Sequence, residues 1–492
     1  MTMPVTVERT LLGKDLSIAR ALTGLWQIAD LERGGQTVDA SGAAASMSNY
    51  AAAGFTTFDM ADHYGSAELI AGRYRKDHGD DVQICTKWVP APGPVTRDDV
   101  RAAVERAVER TGGRPIDLMQ FHTWSYSDPS WLDALFYLQE LRGEGLFRDL
   151  GLTNFDTAHL RIAVASGIDV VSNQVSFSLL DQRAAGAMSA YCLEHGIRLL
   201  AHGTVAGGWL TERWLDAAEP AEDTYGTWSQ WKYRRFLREA GGWAALQRLL
   251  RTLSQIARRH GVSVANVASR TILEQPAVAG VIIGARLGVS EHIADNLRLF
   301  TFALSPADRA ELAETLSTLT PIPGDTGDEY RKKPYLTASG DLSHHLRSFP
   351  PPYEVRAMEG GRILCLSGTP WESFAGYARA VRQGDHISVS GTTATHGDRL
   401  IGGKDPVAQT HFAIDKIEGA LRSLGASLED VVRTRVFVSD IQVWEQVARA
   451  HGERFSGIRP ANTLVQARLV GDEYLVEIEA EAELRHDRAG TP

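Results

Sequence analysis

Four side chains in this sequence have the chemistry to hand a proton to a carbonyl oxygen, and three of them close short apolar runs. Asp59 ends GFTTFD (54–59), Lys87 ends QICTK (83–87) and His122 ends LMQFH (118–122). Tyr64 follows in DMADHYGSAE (59–68). Tyrosine is a weak acid, with a pKa of about 10. A neighbouring ammonium favours the phenolate and makes the phenol a better donor. Lys87 would supply that ammonium, Asp59 would keep it charged and aimed, and His122 would hydrogen-bond a substrate oxygen. Together they would form a general acid poised over a carbonyl. Each residue alone has an ordinary explanation: a turn-capping aspartate, a core histidine, a solvated lysine. The ordered set on successive strand ends does not.

Such a set needs elements that bring strand ends together. Between about residues 20 and 300, strand-like runs alternate with helical patterns. The runs are ALTGLWQI (21–28), FTTFD (55–59), VQICTK (82–87), DLMQFH (117–122), RDLGLT (148–153), DVVSNQV (169–175), GIRLLAH (196–202) and AGVIIGA (279–285). The segments 100–110, 131–145 and 184–196 read as helices, and 204–275 holds at least two more. This alternation predicts an α/β fold, a (β/α)8 barrel of TIM type, whose C-terminal strand ends converge on one mouth. A doubly wound sheet is the competing topology, but no G-x-G-x-x-G follows any strand.

Residues 319–352 are rich in Pro, Gly and charge, and periodicity fades there. The chain therefore divides into a barrel over 1–325, a tail and linker over 326–352, and a second domain over 353–492. In that domain HISVSG (386–391) and VVRTRVFV (431–438) read as strands, and 406–425 and 443–455 as helices. In YLVEIEAEAEL (474–484), Val476, Ile478, Ala480, Ala482 and Leu484 alternate with four glutamates. That alternation marks an α+β domain with a sheet solvated on one side.

Bulk properties exclude other classes. The chain has 492 residues and a net charge of −10, which gives no reason to expect a nucleic-acid or anionic-membrane partner. Its three cysteines are far apart and form no C-x-x-C pair, so neither a disulfide framework nor a metal site is expected. No apolar signal core or long apolar run occurs, and a soluble cytoplasmic protein is the expectation.

The region 10–320 resembles the aldo-keto reductase family: GFTTFDMADHYGSAE carries its Asp-and-Tyr signature, and Lys87 and His122 stand where its Lys and His belong. The resemblance implies reversible, NAD(P)-dependent reduction of an aldehyde, ketone or sugar, with Tyr64 as proton donor. The cofactor would be NADP(H), with NAD(H) possible, bound without a Rossmann fold. In GLTNFD (151–156), Thr153 and Asn154 would face the nicotinamide carboxamide, with Gln174 as a further amide partner. His202 stands where a ring-stacking tyrosine is usual. In IIGARLGVSEHIADN (282–296), Arg286 would meet a 2′-phosphate, Asp295 and Asn296 would lie toward adenine, and His292 replaces a common second arginine. Trp26, Trp88, Trp124 and Trp209 suit either an aromatic mouth or barrel packing.

Residues 353–486 resemble the Rid (reactive intermediate deaminase) family, small α+β, chorismate-mutase-like domains that pack as trimers with clefts between subunits. GYARAVRQGDHISVSGT (376–392), RPANTLV (459–465) and VEIEAEA (476–482) carry the likeness. Tyr377, Ser390 and Glu477 match cleft positions, whereas Asn462 replaces the arginine of imine-hydrolysing members and lacks its charge. The expected protein is therefore a carbonyl reductase fused to an oligomerising or ligand-holding domain, assembled as a homotrimer or a multiple of three. A barrel needs no partner to close its edges, so the reductase part is expected to stand alone when truncated. Two other readings are a coupled enzyme, in which the second domain handles an imine or enamine, and a non-enzymatic redox-sensing regulator.

Overall fold

A computed structural model describes residues 5–35, 37–79, 81–337 and 349–485. Eight parallel strands close into a barrel in chain order: β1 (Ala21–Gly24), β2 (Thr57–Asp59), β3 (Gln83–Trp88), β4 (Ile116–Phe121), β5 (Phe147–Thr153), β6 (Ser172–Ser176), β7 (Arg198–His202) and β8 (Val278–Gly284). β8 pairs β1 in parallel from Val281↔Ala21 to Gly284↔Gly24, completing the closure. The barrel strands are short and mostly buried along their length, as expected of a parallel sheet covered by helices. An antiparallel hairpin, Arg9–Leu12 with Leu16–Ala19, precedes β1. Its Leu12, Leu16 and Ile18 pack with Leu22, Leu118 and Leu200 from the barrel interior.

The first run departs from its expected extent. β1 stops at Gly24, and Trp26–Arg33 is helical. Gly24 pairs Asp59 at the end of β2, and the next N–H, of Leu25, donates to the Asp59 carbonyl at 2.9 Å. No further strand partner remains, so the chain turns into a helix that buries Ile28 and Ala29. The stretch 204–275 holds helices Trp228–Glu239, Gly242–His260 and Val264–Leu273. The first two lie over a second apolar cluster that includes Trp209, Trp214 and Leu250.

The second domain is a seven-stranded sheet in the order β9 (Glu354–Ala357), β10 (Arg362–Leu366), β11 (Ala380–Gln383), β12 (His386–Thr393), β15 (Val476–Glu483), β13 (Val431–Val438) and β14 (Ala461–Gln466). All neighbours are antiparallel except β13 and β14. Helices Pro406–Ser423 and Trp444–Phe455 supply apolar side chains to the sheet core, among them Ile414, Ile417, Val447 and Phe455. In β15, Val476, Ile478, Ala480 and Ala482 are buried, as the alternation requires.

The two units share a core. Ala394, Ile401, Ala408 and Phe412 of the second domain are fully buried in the same cluster as the barrel's outer helices. Of the segment expected as tail and linker, residues 338–348 lie outside the described residues. The part before them is not a spacer: Asp328–Arg331 forms a short helix against the barrel mouth.

Candidate active site

At the C-terminal end of the barrel, Asp59, Tyr64, Lys87 and His122 line one cavity of about 520 Å³. The strand register brings them there. Asp59 pairs Cys85 across β2–β3, Lys87 pairs Gln120 across β3–β4, and His122 directly follows β4. Lys87 and Asp59 form a buried ion pair: Nζ donates to both carboxylate oxygens at 2.8 and 2.7 Å, and also to the Met60 carbonyl at 2.9 Å. Both side chains are about 4% exposed. A buried pair is retained only when its remaining hydrogen-bond capacity is met, and Gln120 and Gln174 do this. Their amide nitrogens donate to Asp59 Oδ1 at 3.1 and 2.7 Å. The Lys87 ammonium lies 5.0 Å from the centre of the Tyr64 ring, within reach of a cation–π attraction. Trp26 meets that ring edge-on at 5.0 Å.

His122 Nδ1 lies 3.2 Å from the Thr153 carbonyl. A carbonyl only accepts, so Nδ1 carries the proton. The neutral ring then offers Nε2 as an acceptor, and the imidazolium offers it as a donor. The same edge of the site carries Thr153 and Asn154. Asn154 is one of few non-glycine residues with a left-handed backbone, at φ +57°, a conformation held against local strain. Its backbone N–H donates to the Gln174 carbonyl at 2.7 Å.

His202, standing where a stacking tyrosine was expected, places Nδ1 3.1 Å from the Tyr233 hydroxyl and Nε2 3.3 Å from Asn154 Oδ1. Its pKa is pushed well below the ordinary histidine range, by burial first and then by Lys232, Lys87 and Arg183. Neutral, it donates from Nε2 and accepts at Nδ1, which satisfies both contacts. Tyr233 lies so close over Gly203 and Gly207 that a Cβ at either would collide with it, so these glycines admit the ring. Arg286, His292, Asp295 and Asn296 line the far end of the cavity. Asp295 is partly engaged by Ser263 and Asn266, at 2.9 and 3.2 Å.

These residues fit an extended dinucleotide. One cavity is lined by both Tyr64 and Arg286, and the buried Nε of Arg286 has no hydrogen-bond partner among the described residues. A buried guanidinium N–H left over in this way suits an anionic group at that position.

The tryptophans divide. Trp26 and Trp124 line the cavity, whereas Trp88 packs on Phe121 and Trp209 is fully buried against Trp214 and Trp243. Several lining residues were not anticipated from sequence. Gln120, which braces Asp59 without lining the cavity, was within reach, since it stands two residues before His122 and a strand repeats its facing every second residue. Tyr330 and Lys232 carry no such signal. The Lys232 ammonium donates to the Tyr330 hydroxyl at 2.8 Å, and the Tyr330 ring is 5.4 Å from His122.

The cleft candidates of the second domain separate within one chain. Ser390 Oγ donates to the Ala378 carbonyl, and Arg379 stacks 5.8 Å from Tyr377. Glu477 lies against Gly391, and its pKa is raised by burial. Asn462 instead donates to Thr434 Oγ1 at 2.9 Å. Thr434 is fully buried and also meets His451 of the helix Trp444–Phe455, so Asn462 faces the helical side. Glu477, out of step with the buried Val476 and Ile478, faces the other.

Comparison with known proteins agrees with this architecture. The family model described as the aldo/keto reductase family matches residues 22–317, and that described as endoribonuclease L-PSP matches 362–484. An uncharacterized protein of Streptomyces coelicolor is 42% identical over 117 residues, 24% of this chain and 87% of that protein. Protein tas of Escherichia coli is 26% identical over 308 residues, 54% of this chain and 86% of that protein. The glycerol dehydrogenase structure from Gluconobacter oxydans superposes with a TM-score of 0.53 at 20% identity, covering 66% of this chain and 98% of that one; at that identity the likeness concerns the barrel fold. The chain belongs to the aldo/keto reductase family, an oxidoreductase family working between carbonyl and alcohol with a nicotinamide cofactor, and it carries a second domain of the Rid, or L-PSP, family. Among the described residues, no helix is long and apolar enough to cross a membrane.

Proposed function

We propose that the protein is an NADP(H)-linked carbonyl reductase in which Tyr64 is the proton donor. The observation that carries this reading is the buried Lys87–Asp59 pair beside the Tyr64 ring on the cavity wall. The nicotinamide, when bound, supplies hydride to the carbonyl carbon or takes it from the alcohol. Tyr64 gives its phenolic proton to the carbonyl oxygen in the reductive direction. The Lys87 ammonium, fixed by the Met60 carbonyl and by Asp59, which Gln120 and Gln174 hold in turn, stabilises the phenolate left behind. His122 orients the substrate oxygen. Thr153, Asn154 and the Gln174 side-chain oxygen Oε1 hold the carboxamide end, and Arg286 meets the 2′-phosphate through charge-assisted bonds.

Lys232 refines the substrate class. Its ammonium lines the cavity, and among the described residues no carboxylate pairs with it. This favours carbonyl compounds that carry an anionic or hydroxyl-rich group away from the reacting carbon. The second domain is read as an oligomerising or ligand-holding unit. On the face of its sheet away from the helices, Glu479 and Glu481 pair with Arg433 and Arg435 within the sheet, and assembly as a trimer or a multiple of three is proposed from the Rid resemblance alone. The charge missing at Asn462 counts against hydrolysis of 2-imino acids.

The test is a screen of sugar, keto-acid and neutral aldehyde substrates with NADPH, repeated on Tyr64→Phe. Turnover of the best substrate should fall by about 10² to 10⁴, the range of acid–base residues, with NADPH binding kept. Near-normal turnover in that variant rules Tyr64 out as the donor.

A further inference from the structure

The turn from β5 into the helix Thr157–Ala165 carries Thr153 and Asn154, and it is held from three directions. From β6, the Gln174 carbonyl takes the Asn154 N–H, and Asn173 Nδ2 donates to the Phe155 carbonyl at 2.9 Å. From the chain beyond the barrel, Thr326 Oγ1 donates to the same carbonyl at 3.0 Å, and Arg331 Nη1 donates to the Asn154 carbonyl at 2.6 Å. The third support comes from the Rid domain. Asp156 caps the helix, accepting the His159 N–H at 2.8 Å, and its Oδ1 lies 2.6 Å from His159 Nδ1. The other ring nitrogen, Nε2, lies 2.9 Å from Oδ2 of Asp415, on the second domain's helix Pro406–Ser423. All three groups are at least nine-tenths buried.

Ionised carboxylates only accept, so a ring placed between two of them donates from both nitrogens and is an imidazolium. Arg454 closes the row, donating to Asp415 Oδ1 at 2.6 Å and to Glu418 at 2.9 Å. The His159 ring stacks on Tyr126 at 3.4 Å and 5°. The Tyr126 hydroxyl accepts the Asp156 N–H at 3.3 Å, and the Arg331 guanidinium lies 4.3 Å over the other part of this stack. A displaced His159 would therefore move Asp156, Tyr126 and Arg331 together, and with them the carbonyl of Asn154. Asn154 sits in a left-handed conformation that persists only while its surroundings over-determine it.

We propose that the C-terminal domain is a working part of the reductase site: Asp415, acting through His159, is a positioning residue for the turn that holds the nicotinamide end of the cofactor. This rests on the reading that Thr153 and Asn154 face the carboxamide. The domain fusion then has a physical purpose in the barrel's own chemistry, apart from any ligand of the Rid cleft.

The experiment uses the full chain, with two ligands titrated by calorimetry: NADPH, and adenosine 2′,5′-bisphosphate, which has the phosphate end and lacks the nicotinamide. Asp415→Asn should raise the NADPH dissociation constant about tenfold, within the range usual for coupled sites, and leave the bisphosphate unchanged. Asp133→Asn removes a different bond across the seam, that to His396 Nε2 at 2.8 Å, and should alter neither. An equal loss for both ligands in Asp415→Asn, or no loss, overturns the positioning role. Wild-type protein that binds bisphosphate but not NADPH overturns the cofactor reading itself. Coupling is reciprocal, so a mutation-free arm stands beside the variants. NADPH, but not the bisphosphate, should slow amide exchange in the segment 408–418 of the wild-type chain. Unchanged exchange there also defeats the proposal, even where Asp415→Asn fails to fold.

Discussion

At the scale of single residues, the barrel mouth concentrates side chains whose charges have fixed neighbours. Lys87 spends its three protons on Asp59 and Met60. Asp59 in turn collects Gln120 and Gln174, so the reacting end of the cavity is preorganised by bonds that exist without substrate. Sequence spacing made Asp59, Lys87 and His122 legible because strand ends in a barrel must converge. It made Gln174 legible as a cavity residue but not as a partner of Asp59, since that bond joins residues 115 apart in the chain. The other end of the cavity is looser. Arg286 has a buried Nε with no partner among the described residues, and His292 stands where a second cation would. On the proposed NADP(H) reading, the 2′-phosphate rests on this one guanidinium. Arg286→Ala should weaken NADPH by about 1.5 to 3 kcal/mol, the worth of a hydrogen bond to a charged group, and NADH by much less. Parallel titrations of the two cofactors read this directly, and equal losses would show that Arg286 does not grip the phosphate.

Between elements, the decisive contact is helix against helix, Thr157–Ala165 of the barrel and Pro406–Ser423 of the second domain. Periodicity made both helices legible and could say nothing of their meeting, which joins His159 to a residue 256 positions later. The contact has a pH signature. Burial alone would push the His159 pKa down, but Asp156 and Asp415 outweigh it and hold it above the ordinary value. Burial likewise opposes ionisation of Asp415, and His159 and Arg454 outweigh that and hold its pKa below the usual range. An unfolded histidine titrates near about 6.5 and an aspartate near about 3.9. The histidine's contribution is therefore complete below the first value and is lost as pH rises through its higher folded value. The aspartate's is complete above the second and is lost as pH falls through its lower folded value. Thermal unfolding of the full chain should be most resistant between these limits and weaken on the alkaline side as His159 loses its proton. Asp415→Asn should cost roughly 3 kcal/mol, as for breaking one partner of a buried pair. It should also move the alkaline decline to lower pH, because one of the two carboxylates that raise the His159 pKa is gone. An alkaline limb identical in both proteins would place the titrating group elsewhere.

For the whole molecule, the sequence reads as two domains joined by a linker, and the two fold classes are both as their periodicities indicate. What periodicity does not carry is the seam. Apolar positions such as Ile401, Ala408 and Phe412 look like the inner face of their own domain, yet they are fully buried in one cluster with the barrel's outer helices. Around that apolar patch lie Arg161–Asp405 at 2.5 Å, His396–Asp133 at 2.8 Å and Arg399 over Phe136 at 4.2 Å. A closed barrel has no free strand edge, and that argument led to the expectation that the reductase part stands alone. Closure protects edges, however, and not the outer faces of helices. Removing the second domain would bare the apolar side chains of the helices at Ser130–Gly143 and Thr157–Ala165, leave the buried His159 without one of its two carboxylates, and create the kind of contiguous exposed patch that drives association. A chain ending at about residue 345 should accordingly be poorly soluble or unfold at markedly lower temperature than the full protein. What remains soluble should bind NADPH more weakly than adenosine 2′,5′-bisphosphate by comparison with the intact chain. Light scattering and thermal unfolding on the two lengths decide the matter. A truncated barrel that is monomeric, equally stable and equally avid for NADPH would return the second domain to the status of a mere scaffold.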